Sequence, residues 1–95
     1  MDYTACYYRL IERARHRTLV GYIERHHVRP RCLGGSDSSR NIVEVTPEEH
    51  YVAHQLMVKM YPGVTKLATA AVWMAIRCSG NKAYGWLKRR NAERE

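Results

Sequence analysis

The apolar positions at the start of the chain recur with the period of an α-helix. Their spacing is i, i+4, i+7 and i+11, which places them on one face of a helix over residues 3–16. The residues on this face are Tyr3, Tyr7, Leu10 and Ala14. Three arginines fall together on another face: Arg9, Arg13 and Arg17. Because Gly21 breaks the pattern, the first predicted element is an amphipathic helix that ends before it.

Two short extended segments follow this helix, with a polar loop between them. Residues 22–28 form the first segment, and the apolar residues at 42, 43 and 45 form a second, β-like run. Pro30, the Gly34-Gly35 pair and a Ser-Asp-Ser-Ser run at 36–39 mark the loop. The pattern predicts a hairpin whose two strands are joined by a long connection.

The clearest helix start in the chain lies directly after the second extended segment. Thr46 can serve as the N-cap, Pro47 takes the first helical position, and Glu49 completes a capping box. This helix is predicted to run to about Met60 and to end before a Pro-Gly pair. Its expected apolar stripe consists of Val52, Leu56 and Met60.

A third predicted helix, roughly residues 65–78, is apolar over most of its surface. Such a helix should be buried, either in the core or in an interface with a partner. Its apolar residues include Leu67, Ala68, Ala71, Val72, Met74 and Ala75. A break at 79–81 precedes a last helix, which starts at about Lys82 and ends in a strongly charged tail at 88–95. Together these elements predict an α+β, mostly helical fold.

Length and composition exclude several classes of protein. A chain of 95 residues forms one domain at most, and a hydrophobic content of 45% excludes a disordered tail. No apolar run approaches the roughly 18–20 residues that span a membrane, and the N-terminal segment lacks the apolar core of a signal peptide. The three cysteines, Cys6, Cys32 and Cys78, are odd in number and widely spaced. They indicate reduced thiols in a cytosol.

The charge balance points to a polyanionic partner. The chain has 16 Lys and Arg against 9 Asp and Glu, a formal net charge of +7. A small basic domain of this kind is a candidate for binding nucleic acid, although a basic surface that only keeps the domain soluble is the alternative.

Four of the five histidines fall in one segment, with Asn41 among them. His26 and His27 are adjacent in the first extended segment, so their side chains should point to opposite faces. His50 and His54 are i, i+4 on the capped helix, a spacing that can chelate a transition metal such as zinc. The set suits a catalytic base beside a divalent metal.

Each of these features also has an ordinary interpretation. A single HxxxH pair on a helix is more often surface or core histidine than a ligand pair, and an asparagine before a strand is usually a turn residue. The ordered set carries more weight than its parts: His-His, a Gly-Gly loop, Asn, a short strand, a capped helix and then HxxxH.

The segment ERHHVRPRCLGGSDSSRNIVEVTPEEHYVAH resembles the HNH endonucleases, also called His-Me finger or ββα-metal nucleases. More narrowly, it is similar to the small free-standing or intron-encoded homing-type HNH proteins of bacteriophages. The motif covers about a third of the chain, and LIERAR before it and LATAAVWMAIRC after it fit the same subgroup. The resemblance implies a single HNH domain over residues 1–95 with a motif core at about 22–60.

The resemblance implies a role for each residue of the set. His27 matches the general base that activates the attacking water, and His26 matches the first metal-ligand position. Asn41 matches the asparagine that braces the hairpin and helps to hold the base. His50 matches the metal ligand on the helix, and His54 matches an extra histidine that is a further ligand or a phosphate contact.

The resemblance also implies one divalent metal ion. Magnesium or manganese is expected for activity, although histidine ligands without a carboxylate make a softer site, to which zinc, nickel or cobalt can bind more tightly. Glu24 either contacts a metal ligand from outside the ligand set or is simply a charged residue on the face of the strand.

The expected DNA contacts surround the motif loop: Arg25, Arg29, Arg31 and Arg40. Second choices are Arg9, Arg13 and Arg17, and Lys88, Arg89 and Arg90.

The predicted activity is therefore that of a hydrolase, a metal-dependent DNA endonuclease that cleaves phosphodiester bonds. The preferred hypothesis is a strand-nicking homing endonuclease of a bacteriophage. Such an enzyme would work in the cytoplasm of the infected bacterial cell, and no membrane partner is expected. A homodimer could cut both strands. One alternative is a nuclease that assists phage DNA packaging or degrades host DNA. Another is a non-catalytic, zinc-stabilised module that binds nucleic acid. A degenerate HNH interaction protein is disfavoured because every motif position is present.

Overall fold

The computed structural model describes residues 1–76 and 80–93. Its elements are α1 (Tyr3–Arg15), β1 (Glu24–His27), β2 (Ile42–Val45), α2 (Pro47–Met60), α3 (Thr65–Ala75) and α4 (Asn81–Glu93). The mostly helical α+β architecture is confirmed, and β1, β2 and α2 follow one another in ββα order. The predicted end of the third helix at Cys78 and the last two residues of the charged tail lie outside the described ranges. Within those ranges, every helix is too short or too polar to cross a membrane.

The two strands form an antiparallel hairpin in which one face is buried and the other is open. Glu24 and His26 lie opposite Val45 and Val43 on the inner face, while Arg25 lies opposite Glu44 on the outer face. Val43, Val45 and His26 are all buried. The predicted alternation of the two adjacent histidines is therefore present, because this register turns His26 inward and His27 outward.

In the loop between the strands, the backbone at Gly35 lies close against the backbone of Arg29. The loop contains two short 3₁₀ turns, at Arg31–Leu33 and Ser39–Asn41. A Cβ atom on Gly35 would lie 1.7 Å from the carbonyl oxygen of Arg29, so no other residue type fits there without moving the backbone. The Val28 N–H donates to the Asn41 carbonyl at 2.8 Å and extends the hairpin into the loop.

Helix α2 is the centre of the fold. Its capping box is confirmed: Glu49 N–H donates to the Thr46 hydroxyl at 3.1 Å, and Thr46 N–H donates to the Glu49 carboxylate at 2.9 Å. Helices α1, α3 and α4 and the hairpin all pack against α2. The buried hydrophobic residues of this core are Tyr7, Leu10, Ile11, Ala14, Val43, Val45, Ala53, Met57 and Leu67.

The buried face of α2 differs from the predicted stripe. Val52, Leu56 and Met60 are only partly buried, whereas Ala53 and Met57 are fully buried. The inward face runs through His50, Ala53, His54 and Met57, which are spaced i, i+3, i+4 and i+7. From the sequence, the two histidines are expected to flank the apolar stripe and to face the hairpin. They do face the hairpin, but they lie within the buried face of α2 and not beside it.

Helix α3 is less buried than its composition predicts. Leu67 and Ala71 pack into the core, but Val72, Trp73 and Ile76 are 58%, 70% and 61% exposed. The prediction that the helix is buried in the core is therefore wrong for this face, because α3 packs on α2 along one side only. Burial against a partner stays a prediction.

Candidate active site

Three histidines converge between the hairpin and α2. His26 on β1 is 5.3 Å from His50 and 5.2 Å from His54, measured between ring centroids, and the two rings on α2 are 4.8 Å apart. Each residue offers a ring nitrogen, and these nitrogens all lie within 4.8 Å of one another. The structure therefore brings together the three residues that were predicted to be metal ligands. His26 faces inward from β1, and His50 and His54 lie one turn apart on α2.

The nitrogen positions fit a divalent metal ion. The Nε2 atoms of His50 and His54 are 3.1 Å apart, close to the separation of about 3.3 Å between two nitrogen ligands of a tetrahedral zinc ion. The Nδ1 atom of His54 is buried and has no hydrogen-bond partner among the residues that the structure describes. Burial, reinforced by the neighbouring histidines, lowers the pKa of His26 to about 3 and that of His54 to about 4. Both rings are therefore neutral at pH 7, which is the form that binds metal.

Two polar side chains outside the histidine set contact these rings. The Tyr7 hydroxyl lies 2.7 Å from His26 Nε2 and 2.7 Å from the Val28 carbonyl oxygen. Glu24 Oε1 lies 2.8 Å from His50 Nδ1. Of the two interpretations open for Glu24 in the sequence, the contact with a histidine of the cluster is the one present.

Glu24 is itself held by several groups. The Tyr84 hydroxyl on α4 donates to Oε1 at 2.9 Å, the Tyr22 hydroxyl donates to Oε2, and the Lys88 ammonium lies 3.5 Å from Oε2. Burial alone would raise the pKa of Glu24, but the hydrogen bonds from His50, Tyr22 and Tyr84 outweigh it and hold this pKa at about 2. The carboxylate is therefore ionised at every pH at which the protein would act.

His27 lies on the outer side of the hairpin, where its side chain is 30% exposed. Its Nε2 atom is 2.8 Å from Asp37 Oδ1, and the same carboxylate oxygen accepts from Arg31 Nε at 2.8 Å. The His27 imidazole and the Arg31 guanidinium hold the pKa of the Asp37 carboxyl below its usual value. A cleft of about 360 Å³ is lined both by His27 and by the three clustered histidines.

Asn41 ties the two sides of the motif loop together. Its Oδ1 atom accepts from Arg29 N–H at 2.9 Å, and its Nδ2 atom donates to the carbonyls of Arg29 and Ser36 at 2.9 and 2.8 Å. These three hydrogen bonds fix the backbone that directly follows His27 and Val28.

The four arginines chosen as DNA contacts are all exposed but do not form one group. Arg25 and Arg31 line the cleft beside the histidines. Arg29 donates through Nε to the Leu33 carbonyl at 2.7 Å, and Arg40 lies on an exposed turn whose carbonyl accepts from Arg15. The structure therefore places two of the four at the site and two along the loop.

Most of the second-choice cations are engaged by carboxylates on α2 or β1. Arg13 and Arg17 both bind Glu49, and α1 ends before Arg17. Arg89 binds Glu48, and Lys88 lies near Glu24. These ion pairs link the first and last helices to α2 and β1, and Arg31 of the loop is likewise paired with a carboxylate, that of Asp37.

Sequence reasoning missed three groups at the site. Lys66 on α3 lines the cleft, and no local pattern connects it to the histidines. The sequence pattern marks Asp37 only as a loop residue, and its position ten residues after His27 gives no signal of contact. The sequence places Tyr7 on the apolar face of the first helix. A buried tyrosine hydroxyl must find a partner, and this requirement is the signal that could have identified it.

Comparison with known proteins finds relatives among phage endonucleases. No protein-family model and no solved structure matches the chain. The chain is 43% identical over 97 residues to the probable mobile endonuclease B of Enterobacteria phage T4. The aligned region covers 93% of this chain and 36% of that protein. It is also 43% identical over 83 residues to the probable mobile endonuclease E of the same phage. Here the aligned region covers 86% of this chain and 57% of that protein.

A third relative, the probable mobile endonuclease D of phage T4, is 41% identical over 66 residues, which is 64% of this chain and 26% of that protein. The chain thus spans from about a quarter to just over half of the length of these relatives. Over most of its own length, the chain is therefore homologous to proteins named as mobile endonucleases of phage T4.

Proposed function

We propose that the protein is a metal-dependent DNA endonuclease of the HNH, or His-Me finger, type, which hydrolyses phosphodiester bonds. The observation that carries this proposal is the common cleft, in which His27 lies beside the cluster of His26, His50 and His54. A histidine base next to a metal centre is what phosphodiester hydrolysis requires. The names of the phage relatives support DNA as the substrate and a mobile, homing-type role.

His27 is the proposed general base. The Asp37 carboxylate can only accept a hydrogen bond, so the proton of a neutral His27 stays on Nε2 and the lone pair is left on Nδ1. At Nδ1 the imidazole would take the proton of the water that attacks the phosphate. Imidazole suits this step near neutral pH. Asn41 acts indirectly, because its three hydrogen bonds hold the loop that begins beside His27.

His26, His50 and His54 are the proposed metal ligands. The bound ion would act as a Lewis acid that stabilises negative charge on the phosphate and on the leaving oxygen. Three imidazoles favour zinc, nickel or cobalt in binding, whereas magnesium or manganese is the proposed working ion. His54 belongs to the ligand set because its ring nitrogens lie within reach of both other rings.

DNA binding is proposed to rest on phosphate contacts around the cleft. Arg25 and Arg31 lie at the cleft itself, and Arg29 and Arg40 would extend the positive surface along the loop. Such contacts give affinity without reading bases, so we propose modest sequence preference. One active site cuts one strand, so a monomer would nick DNA, and a homodimer could make double-strand breaks.

The test is relaxation of supercoiled plasmid by the purified protein. After chelation, magnesium, manganese, zinc, cobalt and nickel are added separately to wild-type protein and to His27→Ala. The control is His16→Ala, since His16 is the exposed histidine at the end of α1, away from the cleft. We expect metal-dependent nicking that His27→Ala loses and His16→Ala keeps.

Two results would contradict the proposal. Equal nicking by wild type and His27→Ala would refute the assignment of the base. No cleavage with any ion, by a protein that binds both metal and DNA, would refute catalysis and favour the zinc-stabilised binding module.

A further inference from the structure

The position of the proton on His26 follows from the single proton of the Tyr7 hydroxyl. This hydroxyl lies 2.7 Å from the Val28 carbonyl oxygen and 2.7 Å from His26 Nε2. A carbonyl oxygen can only accept, so the Tyr7 proton is donated to Val28. The hydroxyl oxygen is then the acceptor for His26, whose proton must lie on Nε2. The lone pair of the neutral His26 ring is therefore on Nδ1.

The position of the proton on His50 follows in the same way from Glu24. The ionised carboxylate of Glu24 can only accept, and its Oε1 atom is 2.8 Å from His50 Nδ1. In the neutral form, which is the one that binds metal, the His50 proton therefore lies on Nδ1 and the lone pair is on Nε2. This Nε2 atom is the one that lies 3.1 Å from His54. The two rings thus present different nitrogens to the space between them.

We propose that Tyr7 and Glu24 are positioning residues of the metal centre, which fix opposite tautomers so that His26 presents Nδ1 and His50 presents Nε2 to the ion. The proposal rests on the metal-dependent function proposed above. Neither residue is offered as a ligand: Tyr7 acts through His26, and Glu24 acts through His50. Outer partners of this kind orient the ligand ring and select the nitrogen that is free to bind.

Both positioning residues are anchored by elements that flank the histidine motif. Tyr7 belongs to α1 and is only 1% exposed, so its hydroxyl is held by the packing of that helix against the core. Glu24 accepts a hydrogen bond from Tyr84 on α4. The orientation of the ligands therefore depends on the docking of the first and last helices, and the hairpin and α2 do not set it alone.

Metal affinity is the first test. Zinc binding to the full chain is measured by calorimetry with a competing chelator, for wild type, Tyr7→Phe and Glu24→Gln. The matched controls are Tyr8→Phe, on an exposed neighbouring tyrosine, and Glu44→Gln, on the exposed face of β2. We expect affinity to fall about 10- to 100-fold in the two test variants and to stay at the wild-type value in the controls.

Histidine tautomers are the second test, and they require no variant. Long-range ¹H–¹⁵N correlation spectra of the zinc-bound wild-type protein report which ring nitrogen carries the proton. We expect a proton on Nε2 of His26 and on Nδ1 of His50. The opposite tautomer in either ring would overturn the proposal, even if the test variants fail to fold.

The two proposals fail in different ways. If the wild-type protein binds none of the divalent ions, the proposed metal-dependent function is refuted and the positioning roles are refuted with it. If wild type binds zinc and both folded test variants bind it equally well, only the positioning roles are refuted.

Discussion

His26 and His27 are neighbours in one strand, yet their imidazoles belong to different parts of the site. His26 is 2% exposed and lies in the histidine cluster, whereas His27 is turned outward and contacts Asp37. The alternation of a β-strand is sufficient to separate them. A shift of the hairpin by one residue would exchange their positions, so the register of β1 and β2 is a condition for the proposed chemistry.

The hydrogen bonds of Asn41 predict a loss of activity that exceeds the loss of stability. Asn41→Ala removes three hydrogen bonds to the backbone of Arg29 and Ser36 and should lower the free energy of unfolding by about 1–3 kcal/mol. Nicking should fall at least tenfold at temperatures where the variant is still folded, because the loop beside His27 is released. Urea unfolding and plasmid relaxation measure the two effects. Asn91→Ala, on the exposed face of α4, is the control, and full activity of Asn41→Ala would contradict the bracing role.

The close approach at Gly35 predicts a strong effect of a single methyl group. Gly35→Ala places a Cβ atom 1.7 Å from the Arg29 carbonyl oxygen, so the loop must move, at a cost of about 1–3 kcal/mol or more. Gly63→Ala is the matched control because nothing lies within 4 Å of its added Cβ. Thermal unfolding of both variants measures the difference. Equal stability of the two variants would show that the loop does not pack as described.

The buried histidines predict that the metal-free protein loses stability as the pH falls below about 6.5. The pKa of His26 is lowered to about 3 and that of His54 to about 4, whereas both take the ordinary value of 6.5 in the unfolded chain. The unfolded state therefore binds protons first, and the free energy of unfolding decreases as the pH falls. Each histidine contributes up to about 1.4 kcal/mol per pH unit in this window.

Urea unfolding in the presence of a chelator, between pH 7.5 and 5, measures this dependence. Most of this window lies above the ordinary glutamate pKa of 4.5, so the histidines dominate the change between pH 7.5 and 6. His16→Ala is the control variant, because His16 is exposed and lies outside the histidine cluster. A free energy of unfolding that stays constant from pH 7.5 to 5 would contradict the burial of the two rings.

The position of Lys66 predicts a role in binding DNA. Lys66 lines the cleft from α3, so Lys66→Ala should weaken DNA binding and reduce the dependence of log affinity on log salt concentration by about 1. Lys59→Ala is the control, since Lys59 lies on α2 with its ammonium over the Tyr3 ring. Fluorescence anisotropy at several salt concentrations, in a His27→Ala background, gives both quantities. An unchanged slope for Lys66→Ala would exclude a phosphate contact.

Local signals in the sequence were sufficient for the elements of the fold. The spacing of apolar residues predicted α1, and the Thr46–Glu49 capping box predicted the start of α2, which the structure confirms at Pro47–Met60. The same local rules placed His26 and His27 on opposite faces and stacked His50 over His54. These predictions succeed because strand alternation, helix period and capping depend on residues close together in the chain.

The tertiary structure decided which groups meet across the chain. The inward face of α2 includes its histidines because the hairpin packs there, and Val72 and Trp73 of α3 remain exposed because that helix packs on one side only. The contacts of Tyr7 with His26 and of Tyr84 with Glu24 join residues 19 and 60 positions apart. No local pattern encodes such contacts. The sequence by itself therefore determined the elements and the histidine set, whereas the packing of α1 and α4 around α2 decided what holds and surrounds that set.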